Sequence, residues 1–153
     1  MNSSLIYIGD VNIKVSKKSY KYKNSGTPKL FEYFSRWLAG ETIQNDILPD
    51  HIEIKTGSDF TEPVSIEHIR INKSYRTTSK GPATIITSTI LKEELVSNYD
   101  PSNASVLQLC DANRNVLAQI GIESTVLEQI KTGRQALVEW TLCIRNRGDE
   151  INE

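Results

Sequence analysis

Two histidines, two cysteines and scattered carboxylates are the side chains of this sequence best suited to hold a metal or move a proton. His51 and His68 lie far apart, and neither has another His or Cys at the short spacing of a metal site. Glu67 stands beside His68, but adjacent residues of a strand point to opposite faces. Each imidazole is therefore expected to be exposed or partly packed. Cys110 and Cys143 lack the clustering of a redox pair or a zinc ligand set. Both fall in stretches that read as strands, so each is expected to be a small buried hydrophobe carrying a thiol. Glu93 and Glu94, in LKEEL, read as solvated charge. There is no nucleophile elbow, phosphate loop or dinucleotide fingerprint. The expectation is a protein with no catalytic residues, no cofactor and no metal.

Binding chemistry is better represented than reaction chemistry. Trp37 and Trp140 could form a sugar-stacking platform, but both fall on apolar repeats and are expected in the core, packed together. Tyr20 and Tyr22 alternate with lysines and are the better candidates for an exposed aromatic surface. Lys14, Lys17, Lys18, Lys21 and Lys23 occupy a stretch without acids, whereas Glu41, Asp46, Asp50, Glu53 and Asp59 share theirs with the single base Lys55. Opposed patches of this kind suit copies docking head to tail. The expected interface is Lys14, Lys17, Lys18, Tyr20, Lys21 and Tyr22 of one copy against Asp46, Asp50 and Glu53 of the next. Arg147-Gly148-Asp149 spells an adhesion tripeptide, which in a polar tail reads as coincidence.

Composition bounds the rest. The 153 residues carry a formal charge of −1, which argues against a nucleic-acid partner. At 38% hydrophobic the core is adequate but thin. No run approaches the roughly 20 apolar residues of a membrane span, and MNSSLIYIGD lacks the basic flank of a signal peptide. The protein is expected to be made in a reducing cytoplasm and not secreted by a signal peptide.

The elements that would position these residues are mostly strands. Val11 to Val15 alternates strictly, and Gly9-Asp10 could be the turn of a hairpin before it. One helix, about residues 28–39, is marked by Thr27 as cap, Pro28 in its first turn and Gly40 beyond its end. Its stripe of Leu30, Phe31, Phe34, Trp37 and Leu38 should bury Phe31, Phe34 and Trp37 against a sheet. Further strands are expected at His51–Thr56, Val64–Lys73, Ala83–Leu91, Ser105–Asp111, Asn115–Ile122 and Gln135–Arg145. Residues 123–131 fit either a short helix or a strand. Thr42–Asp50 and Tyr75–Lys80 read as long polar arms. The sum is a mainly β protein, an antiparallel sandwich of jelly-roll or immunoglobulin-like type with one inserted helix. A single domain, 1–146, precedes a polar tail, 147–153.

The segment NSGTPKLFEYFSRWLAGE, residues 24–41, together with the terminal ALVEWTLCIRN, resembles small structural virion proteins of tailed bacteriophages. In that pattern an Asn-x-Gly-Thr leads into a Leu-Phe helix closed by Leu-Ala-Gly. The resemblance brings no active-site residues. It implies a non-enzymatic subunit of the neck, tail or head-accessory class, partnered by other copies of itself and other virion proteins and located in the virion. The alternative is a carbohydrate- or receptor-binding sandwich module.

Overall fold

Alternating apolar and polar side chains give strands one face to bury. In the computed structural model ten strands among the described residues form two antiparallel sheets. The structure describes residues 5–24 and 26–146. The tail, with Arg147-Gly148-Asp149, and the Ile144 side chain lie outside the described residues.

The first sheet runs β2 (Lys18–Asn24), β1 (Leu5–Val15), β10 (Ala136–Asn146), β7 (Gly81–Ile90), β6 (Asn72–Thr78). The second runs β4 (Glu62–Pro63), β3 (His51–Thr56), β8 (Ser105–Cys110), β9 (Val116–Ile122), with β5 (Ile69–Arg70) sharing β3's outer edge with β4. Val11, Ile13, Ile86, Val138 and Trp140 of the first sheet meet Ile52, Ile54, Leu107, Leu109 and Ile120 of the second in one core. Segment 123–131 resolves as helix α2, Ser124–Lys131, which adds Val126, Leu127 and Ile130 to that core.

Four expectations are corrected by tertiary pairing. Gly9-Asp10 is not a turn, because β1 pairs without a break along β10 from Leu5 to Val15. Gly9 is needed instead for close approach, since a Cβ there would strike the Asn24 side chain. The hairpin turn lies at Ser16, whose φ of 57° is left-handed. Val64–Lys73 is not one strand: β5 pairs with β3 in the second sheet, and β6 begins at Asn72 in the first. Tyr75–Lys80 is not a free arm but the end of β6 and its turn into β7. Tyr20 and Tyr22 do not form an exposed surface: Tyr20 is buried, and Tyr22 packs against the core. Their strand is the edge of its sheet, so the alternate lysines face solvent where they hinder unwanted strand pairing.

Helix α1 spans Pro28–Leu38, capped by the Thr27 side chain accepting from the Leu30 N–H. Gly40, at φ 92°, ends it in the left-handed conformation.

Candidate functional site

The apolar stripe of α1 is only partly covered by the sheets, with Leu30 and Phe34 half-buried. Phe31 remains 41% exposed and Trp37 54%, while Tyr33 is the buried residue of the helix. This corrects the expected burial of Phe31, Phe34 and Trp37, and it separates the tryptophans. Trp140 is fully buried in the core; Trp37 stands on the rim of an open groove. The physical reason is polar anchoring. Thr27 Oγ1 donates to the Val116 carbonyl of β9 at 2.6 Å, fixing the start of the helix. Tyr33 Oη donates to Asp111 Oδ2 at 3.0 Å in the β8–β9 turn. Asp111 is fully buried. Its Oδ1 also accepts the N–H groups of Asn113 and Asn115, at 2.9 and 2.8 Å. Burial, then hydrogen bonding to the Asp111 carboxylate, raises the Tyr33 pKa and keeps the phenol a donor. Tyr33 sits beside the stripe on the helical wheel, so docking it inward turns the larger apolar face outward.

That face, the Ile43–Pro49 segment and the adjacent end of the sandwich enclose a groove of about 620 Å³. Tyr7 meets Phe31 edge to face at 5.7 Å, closing the groove's inner wall. Leu38 is 61% exposed, and Leu48, on the groove's rim, is 38% exposed. Apart from Lys73, Thr84, two tyrosine hydroxyls and the indole N–H of Trp37, the lining side chains are hydrocarbon. The Lys73 ammonium is itself used by the fold, donating to the Pro49 carbonyl at 2.8 Å.

A second cluster occupies the outer face of the second sheet. His51 places Nδ1 2.8 Å from Asp50 Oδ2 and Nε2 2.7 Å from Glu53 Oε2. Arg114 grips Glu53 with Nε and Nη2 at 3.1 and 2.7 Å, and Lys55 Nζ adds a contact at 3.0 Å. Burial alone would raise the Glu53 pKa, but these donors outweigh it and hold the carboxyl at about 2. Cys110 lies beside the cluster, its thiol pushed up to about 12 by burial and by the Glu53 charge. Such a thiol is a poor nucleophile. Pairing of β5 on β3 brings His68 over His51, with ring centroids 4.1 Å apart. His51 and Glu53 share a face of β3 by their two-residue spacing, but His68 and Arg114 lie far off in sequence and are brought to them only by the pairing of β5 and β8 on β3.

The expected interface residues are distributed unevenly. Lys14, Lys17, Lys18 and Lys21 are exposed along the β1–β2 edge, and Lys18 lies over the Tyr20 ring at 5.1 Å. Asp46 and Asp50 are exposed on the other sheet's side. Glu53 is buried and committed to His51, Lys55 and Arg114, so it is unavailable as an exposed contact. Both cysteines are buried thiols, Cys110 in the second sheet and Cys143 in the first. Among the described residues no helix is long and apolar enough to cross a membrane. In comparisons with known proteins, no family model matches the chain, nor does any curated protein or solved structure.

Proposed function

We propose that this chain is a non-enzymatic assembly subunit that docks on neighbouring copies through the groove beside α1, and that the particle it builds is that of a tailed phage. The observation that carries the docking is the exposure of Phe31, Trp37 and Leu48 around one apolar groove. An apolar surface concentrated in this way marks an interaction site rather than ordinary scatter. Aromatic anchors in such pockets supply much of the affinity of protein interfaces. The phage assignment rests on the resemblance of residues 24–41 and of the terminal strand. Lys17, Lys18 and Lys21, set against Asp46 and Asp50 of a neighbour, would steer encounter more than hold it.

The exposed Trp37 also favours the second reading, a carbohydrate-binding module. Against it, a sugar needs several hydrogen-bonding groups, and the groove offers few. Native mass spectrometry of the wild type and of a Phe31→Ser/Trp37→Ser variant tests both readings. Assembly requires a wild type larger than a monomer and a variant that stays folded but falls to monomer. A wild type that is monomeric at high concentration, or a variant that assembles unchanged, overturns it. A monomer whose glycan affinity disappears with Trp37 establishes the module instead.

A further inference from the structure

We propose that Asp50, His51 and His68 form a binding site for a divalent zinc-like ion on the outer face of the second sheet, independent of the groove. One candidate ligand atom from each of the three lies within 4.8 Å of the other two. Two imidazoles and one carboxylate suit zinc or a neighbouring late transition ion, not calcium or magnesium, which take oxygen ligands.

The decisive feature is the shell behind the first ligand. A metal-bound histidine usually donates its other ring N–H to a carboxylate that sets its orientation. His51 has that arrangement: Nε2 faces Glu53, and Glu53 is clamped by Arg114 and Lys55. His51 Nδ1 is left facing Asp50, and the tilted His68 ring lies beside the His51 ring, centroids 4.1 Å apart. Zinc with bonds of about 2.0–2.1 Å needs ligand atoms roughly 3.3 Å apart. The Asp50–His51 contact of 2.8 Å must therefore open slightly. Asp50 precedes β3 and His68 precedes β5, and both are exposed, so each can adjust while His51 stays fixed. Their exposure also leaves a fourth position to water.

The chain holds a competing set, His51, Glu53 and Cys110, all buried. Its carboxylate is already engaged by three donors, and its buried position gives an ion no open path.

Untagged full-length protein, stripped of metal, is titrated calorimetrically with zinc chloride and spectroscopically with Co²⁺. One ion per chain is expected, with visible cobalt bands and no thiolate charge-transfer band. His68→Ala should weaken zinc by more than about tenfold, and Cys110→Ser should leave the affinity unchanged. Asp50→Asn, nearly isosteric and exposed, repeats the test if His68→Ala fails to fold. The proposal is overturned if wild type takes up no ion, if the two ligand variants bind as tightly as wild type, or if Cys110→Ser abolishes binding.

Discussion

The two tryptophans occupy opposite circumstances. Trp140 lies opposite Ile86 and Val11, on a strand whose alternate residues Ala136 and Val138 also turn into the core, and it is sealed completely. Trp37 lies on a helical stripe at least as apolar, yet more than half of it is exposed. Periodicity determines which residues share a face. Whether that face is covered depends on what else the element is tied to, and α1 is tied by Thr27 and Tyr33.

The largest effect separates these two sites directly. Trp140→Ala should cost about 3–5 kcal/mol, enough to leave little folded protein from a domain worth about 5–15 kcal/mol. Trp37→Ala should shift stability by no more than about 0.5 kcal/mol. Chemical denaturation of both variants checks the pair, and equal losses would mean that α1 is packed after all.

Acid should act next, through the histidine cluster rather than the groove. The Glu53 carboxyl sits at about 2 against its ordinary 4.5. A carboxyl depressed in the folded state stabilises the protein fully above its unfolded value, and that contribution is lost as pH falls through the folded one. Melting temperature should therefore drop between about pH 4.5 and 2, and Glu53→Gln should flatten that slope. An unchanged slope in the variant would assign acid sensitivity elsewhere.

Tyr33→Phe probes the anchor that turns the stripe outward. It removes a hydrogen bond to a buried carboxylate, a loss of about 1.5–3 kcal/mol. Faster amide exchange should then be confined to α1 and the β8–β9 turn. Exchange spreading evenly through both sheets would show that the anchor is not local.

The smallest effect concerns charge. Exposed pairs contribute only about 0.2–1 kcal/mol each, so Lys17→Glu, Lys18→Glu and Lys21→Glu together should leave the melting temperature nearly unchanged. They should slow assembly at low salt and much less at high salt. Equal rates at both salts would remove the lysine edge from the interface.

Much of the fold is legible in the sequence. Thr27, Pro28 and Gly40 bounded α1 because capping depends on a few adjacent backbone groups. The alternation of Ala136, Val138 and Trp140 marked the inward face of β10 because pleating is local too. The terminal strand, the β8–β9 hairpin around Asp111, and β3 followed in the same way. Gly9 misled because a glycine at a close approach and a glycine in a turn look alike in sequence; the Asn24 side chain decides between them. Val64–Lys73 misled because its two halves serve different sheets, a matter of long-range pairing.

The sequence by itself thus determined which residues share a face, where the helix begins and ends, and that most of the chain is strand. Neighbours a few positions apart settle those features. Tertiary structure alone decided that Tyr33, not Trp37, would be the inward residue of α1, because Asp111 supplies its partner from a distant turn. It alone set His68 over His51 and Arg114 on Glu53, because register between β3, β5 and β8 carries them there. Local periodicity holds no information about such partners, which belong to contacts between elements far apart along the chain.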